Sequence, residues 1–453
     1  MVKENKMGVQ PINKLLLSMS LPIMVSMIIQ ALYNIVDSIF VSQISEEAFT
    51  AVSLAFPVQN LMIAMGAGTG VGINALLSKS LGEKNFERVN KAARNGIFLS
   101  FFNYMIFLVF GLFFTELFFK AQSTNTEIVE YGVSYLRICT LLSIGVFMQI
   151  TTERLLQATG KTIYSMYTQG AGAIINIIMD PILIFGLGPF PKMGVAGAAV
   201  ATITGQLSAA VIGIIFNVKI NKEININMVG FKPDFGTIKK IYVVGIPSII
   251  MQSITSVMTF SMNKILSNYG DTAQAVMGAY FKLQSFVFMP VFGLNNGLIP
   301  ILSYNYGARK RKRMIATIKY GCIYATVIMT LGTVLMQTIP DTMLKLFDAS
   351  ENMMQMGTVA LRIISLSFIM AGIDIIFCSS LQALGYSIYS MFISITRQLL
   401  VLLPVAFAIA KLTDYSNVDY VWWTFLVSEV ASLACSFVFM CVVNKRVISK
   451  IED

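Results

Sequence analysis

Twelve stretches of this chain are apolar for about 20 residues or more, the length that carries an α-helix across a bilayer. They fall at 15–41, 51–78, 95–118, 131–156, 162–188, 194–218, 238–268, 274–304, 315–339, 357–382, 387–411 and 420–444. Only 12% of the residues are charged and 56% are hydrophobic, whereas a soluble domain carries about 25% charged residues. Too little polar surface remains to cover a water-soluble globule. In lipid every backbone group must be paired within the chain, which leaves helices or a closed barrel. Barrel strands need only about 10 residues of alternating polarity, and these runs are longer and uniformly apolar. The expected fold is an all-α integral membrane protein of twelve spans. The first run begins near Leu15 and outlasts a signal-peptide core, so it is read as a retained first span.

The charges set the expected topology. With the N-terminus inside, the inner segments hold Lys3, Lys6 and Lys14, then the bases from Lys79 to Arg94, Arg154 and Lys161, the linker lysines, the run RKRKR at 309–313, and Lys445, Arg446 and Lys450. The outer loops hold only Lys120, Lys192, Lys345 and Lys411, beside acids such as Glu46, Glu127, Asp271, Asp348 and Asp419. Lys/Arg bias fixes orientation, so both termini are expected in the cytoplasm. The net charge of +10 then needs no nucleic acid: the basic run faces anionic lipid. There are no histidines, which excludes a histidine base, relay or metal ligand. The five cysteines lie within apolar spans and are expected to pack there. No metal site is expected.

At an offset of 225 the chain resembles itself. The run LQATGKTIYSM at 156–166 matches LQALGYSIYSM at 381–391 in eight of eleven positions, and Pro22, Gly68, Gly72, Gly82 and Arg88 pair with Pro247, Gly293, Gly297, Gly307 and Arg313. Each half holds six spans, so the repeats share one orientation. The expected domains are an N-lobe, 1–218, a cytoplasmic linker, 219–237, and a C-lobe, 238–453. Two parallel six-helix bundles that rock about a central cleft are the architecture of alternating access.

Five acids lie within the spans: Asp37, Glu153, Asp180, Asp374 and Glu429. A charge at mid-bilayer costs at least about 2.5–3.5 kcal/mol, so such residues face cavities and carry function. Asn176 and Asp180 share a helix face. Pro181 cannot donate a backbone bond, which frees the carbonyl of Ile177. A carboxylate, an amide and a free carbonyl together suit a proton or a small cation. If Asp37 approaches Asp180, both cannot stay ionised without one. At the repeat offset their counterparts are Met262 and Val405, so coupling is assigned to the N-lobe. Asp374 either attracts cationic substrates or pairs with Lys264 or Lys282. Glu153 stands beside Arg154 with a local or a substrate role, and Glu429 has no evident partner. Among the methionines and aromatics of spans 7 and 8, Met258, Met262 and Phe281 are candidates for a pocket that accepts many shapes.

Several ordered runs resemble the multidrug and toxic compound extrusion (MATE) transporters, bacterial multidrug branch. They are Pro22 with 33–41, the run GAGTG at 66–70 through Leu81 and Gly82, LQATG at 156–160, and 176–185 followed by GVAGAA at 194–199. The resemblance covers nearly the whole chain. It implies proton- or sodium-driven antiport of amphipathic cations, with no cofactor beyond the coupling ion. It also implies that Asp37, Asn176, Asp180 and Thr202 form the N-lobe cation site. Asp374 matches an acidic position of some members. Their acidic position in span 7 is Asn263 or Lys264 here, which favours N-lobe coupling. Tyr33, Asn34, Glu153, Met258, Met262, Phe281 and Asp374 are taken as substrate-binding candidates, and a monomer is expected. The alternative within transport is a flippase for a lipid-linked precursor, which a strongly cationic cavity would favour. An enzyme lacks any nucleophile–base set here, and a channel would not drive export uphill.

Overall fold

A computed structural model describes residues 4–452 apart from Asp348 and Ser416. Lys3 and Asp348, counted among the inner and outer charges, lie outside the described residues. Among those residues ten helices are long and apolar enough to cross a membrane, and two bent helix pairs bring the spans to twelve. In chain order the spans are Ile12–Ser42, Glu46–Gly82, Phe86–Phe113, Thr126–Leu141 with Ile144–Ala158, Thr162–Phe185 and Val195–Lys219. The second six are Phe235–Leu266, Asp271–Gly307, Arg311–Thr338, Glu351–Ser365 with Phe368–Ala383, Ser387–Leu412 and Asp419–Arg446.

Two expected spans are not straight. Span 4 bends by 45° and span 10 by 47°, at equivalent places in the two halves. In each the break carries a serine whose hydroxyl donates back to the preceding turn, Ser143 to Thr140 and Ser367 to Ile364. Such back-bonding competes with the helical ladder.

The sequence repeat is a structural repeat at atomic detail. Span 4 and span 10 each end on a glycine with positive φ, Gly160 at 84° and Gly385 at 87°. The next amide bonds back across the turn, Lys161 to Leu156 and Tyr386 to Leu381. That is the helix stop glycine permits, and it explains why LQAxG recurs. Ser78 donates to the carbonyl of Ala158 at 2.9 Å, and Ser303 to that of Ala383 at 2.8 Å.

Contacts divide the chain into two compact units, Val25–Ile249 and Met1–Met24 with Ile250–Asp453. The lobes expected in chain order, 1–218 and 238–453, describe the repeat; the packing units exchange their leading segments. In the second unit the segment before span 1 is clasped by the loop at 305–313. Arg313 donates to the carbonyls of Met7 and Gln10, and Lys310 to Glu4 and Gly8. In the first unit the segment before span 7 is held likewise: the amides of Asn225 and Asp234 donate to Asn90 and Asn95. The basic run 309–313 therefore has a packing role besides its place in the charge pattern.

Candidate functional site

Span 5 and span 6 pack backbone to backbone, and this contact builds the site in the first unit. A Cβ on Gly205 would lie 2.7 Å from the carbonyl oxygen of Gly172, and one on Gly197 2.6 Å from that of Leu183. Only glycine allows this approach. Asn176 and Asp180 sit on span 5 between these crossings, and Thr202 sits on span 6 between Gly197 and Gly205. Asp180 is fully buried. The Asn176 amide donates to its Oδ1 at 3.5 Å, a long bond. Asp180 Oδ2 and Asn176 Oδ1 have no hydrogen-bond partner among the described residues. Pro181, within the helix, has no N–H to donate to the carbonyl of Ile177.

Span 1 supplies the third acceptor. Tyr33, Asn34 and Asp37 share one face and line a cavity of about 410 Å³ together with Gln59, Thr202 and Gln206. Asp37 Oδ1 is buried without a partner among the described residues. Tyr33, Thr202 and Gln206 also line a recess of about 20 Å³ that Asn176 reaches, room for roughly one water-sized occupant. Asp37 and Asp180 are near enough for their charges to interact, and Tyr33 stands within electrostatic reach of both. The unit thus presents unsatisfied oxygens on both sides of a polar bridge. It can take up a proton or a small monovalent cation, because burying such acceptors unpaired is costly.

The structure places the remaining candidates elsewhere. Glu153 accepts from Gln149 Nε2 at 3.1 Å and is not among the side chains lining these two spaces. Met258 and Phe281 line a second cavity, in the other unit. Met262 is fully buried and outside that lining. Asp374 is also buried and accepts from Ser432 Oγ at 2.8 Å. Of the bases, Arg397 lies within its electrostatic reach, and Lys282 sits over the ring of Phe347 at 5.7 Å. Glu429, read from the sequence without a partner, pairs with Arg397 at 3.2 Å.

Arg397 was missed, together with the amides Gln59, Gln149 and Gln206. The signal was present: a lone arginine inside an apolar span is as costly as an acid.

Relatives of this geometry are known. The chain is 29% identical over 431 residues to the multidrug export protein MepA of Staphylococcus haemolyticus (strain JCSC1435), covering 95% of this chain and 93% of that one. It is 27% identical to MepA of Staphylococcus aureus (strain MSSA476), over 92% and 91%. Its fold matches a solved structure described as the outward-facing conformation of a multidrug resistance MATE family transporter of the MOP superfamily, with a TM-score of 0.92, 22% identity, and 99% and 100% of the two chains covered. It also matches a MOP superfamily transporter from Pyrococcus furiosus Vc1 (DSM3638), with a TM-score of 0.87, 22% identity, and 100% and 99% covered. The MatE family model matches twice, over residues 22–182 and 247–408, one match per half; the chain belongs to the MatE family, whose members are membrane transporters and not enzymes.

Proposed function

We propose that this protein is a multi-pass exporter of the cell membrane, with both termini cytoplasmic, that expels amphipathic cations in exchange for H+ or Na+. The observation that carries this reading is the polar bridge of the first unit. Asp37 opens on a large cavity, the buried Asp180 is bonded to Asn176 at the edge of a one-water recess, and Tyr33, Thr202 and Gln206 border both spaces. A coupling cation taken up at Asp180 and Asn176 removes negative charge that an organic cation in the cavity would otherwise neutralise. Occupancy by one therefore weakens the hold on the other, and that competition is the basis of antiport. Export of drugs is the named activity of the Staphylococcus relatives, which supports the same direction of transport here. Alternation of two repeat halves supplies the conformational change, and neither cofactor nor partner protein is required. Among the described residues no arginine or lysine lines the cavity, which argues against a flippase for anionic lipid-linked precursors.

Dye efflux from everted vesicles, with proton and sodium gradients imposed separately, tests this. Asp37→Asn and Asp180→Asn should each abolish gradient-driven efflux while the protein still inserts. Full activity in either variant would remove that residue from the mechanism, and uptake without response to either gradient would remove antiport.

A further inference from the structure

The second unit holds a cavity of about 250 Å³ that the proposed coupling does not use. The charged side chains of its lining, Arg397 and Glu429, come from spans 11 and 12. Arg397 and Gln398 stand on a π-helical turn, Thr396–Leu402, just before Pro404, which cannot donate to the helical ladder. Such widened turns concentrate at functional sites. Arg397 Nη1 donates to Glu429 Oε1 at 3.2 Å, and the two side chains are 25% and 12% exposed. Asp374 lies behind them, within electrostatic reach of both. Tyr280, Phe281, Phe288 and Phe425 form the apolar wall.

Two carboxylates face one guanidinium, so the cluster carries one uncompensated negative charge when ionised. Glu429 Oε2, Asp374 Oδ1 and Gln398 Oε1 are buried without hydrogen-bond partners among the described residues. Glu429 and Gln398 line the cavity, so a ligand there meets two unpaired acceptors and one uncompensated negative charge, beside aromatic faces that attract cations. An inorganic monocation would meet the charge but leave the aromatic wall and most of the volume unused. The cluster is also not inherited from the repeat: at the 225 offset, Arg397, Asp374 and Glu429 correspond to Gly172, Gln149 and Thr204.

We propose that this cavity binds an aryl-alkyl monoammonium carrying at least one N–H, and that Arg397, as a tethered counter-cation to one of the two acids, fixes the charge of the ligand at plus one. The claim rests on the export reading only for the ligand's fate; binding itself is independent of any gradient.

The test is calorimetric titration of the full-length protein in lipid nanodiscs, in an Asp37→Asn background that removes the acid from the other cavity. Three probes share one ring: phenethylamine, its N,N,N-trimethyl derivative, and 1,4-bis(aminomethyl)benzene, a dication. Phenethylamine should bind about tenfold more tightly than the trimethyl compound, which has no N–H to offer the unpaired acceptors. Arg397→Gln, which leaves two negative charges, should shift preference to the dication by about tenfold or more. Glu429→Gln, which leaves none, should abolish phenethylamine binding. The double variant R397Q/E429Q restores a single negative charge and should regain the preference for the monocation, which also shows that the substituted cavity is folded. The proposal is overturned if the affinities for mono- and dication move together across the variants, or if the double variant, eluting as a single species, fails to regain the preference. Response to NaCl with no binding of any amine would also overturn it. Absence of efflux from the protein that keeps Asp37, with these affinities intact, would count against the export reading and leave this site standing.

Discussion

At the residue scale the chemistry turns on how few partners the buried acceptors have. Asp180 receives one long bond, from Asn176, itself left with an unpaired oxygen. If these two groups share a coupling cation, Asn176→Leu removes an acceptor while keeping the branched side-chain skeleton. Losing one bond to a charged group costs about 1.5–3 kcal/mol, which is about tenfold or more in ion affinity. The expected result is an apparent affinity for the coupling ion at least about tenfold weaker in vesicle efflux, with the maximal rate recovered at a high gradient. An unchanged ion dependence would exclude Asn176 from the site. The acids Asp37 and Asp180 stood out in the sequence because their cost in hydrocarbon singles them out. The pairing of Arg397 with Glu429 did not, because it joins two spans 32 residues apart, and no local pattern reports the rotation of one helix against another.

At the element scale the glycines of spans 5 and 6 hold the polar face in register. A Cβ at Gly205 would meet the carbonyl of Gly172 and, at 3.1 Å, the Cβ of Asn176. Backbone cannot yield as a flexible side chain can, so overpacking here costs about 1–3 kcal/mol. Gly205→Leu should lower the thermal unfolding midpoint in detergent and abolish efflux. Gly278→Ala, at a helical glycine with open space around it, should leave both unchanged; equal effects would show that the contact does not position the site. The number of spans was legible because apolar length alone decides what crosses a bilayer. The bends in spans 4 and 10 were not. Hydropathy runs straight through Ser143 and Ser367, and only the hydrogen-bond ladder shows where the helix turns.

At the scale of the whole molecule the repeat and the packing units do not coincide. Residues 1–24 pack with 250–453, and 25–249 take in the start of span 7. A duplicated sequence read along its length suggests two self-sufficient halves. Here each half of the chain lends its leading segment to the other, and the Arg313 and Asn95 clasps fasten both loans. A half expressed alone therefore lacks a piece of its own unit and leaves the clasp groups of that unit unpaired. Cutting the chain in the linker should still be tolerated. The amide of Val229 donates to the neighbouring Asn227, and the loop about Gly230 is exposed. Co-expression of residues 1–229 and 230–453, with an affinity tag on one fragment, should yield a co-purifying pair that elutes as one species and retains efflux, whereas either fragment alone should aggregate or be degraded. Stable, monodisperse fragments that fail to associate would show that each half folds on its own. The exchanged segments would then be accessory to the fold, not part of what completes it.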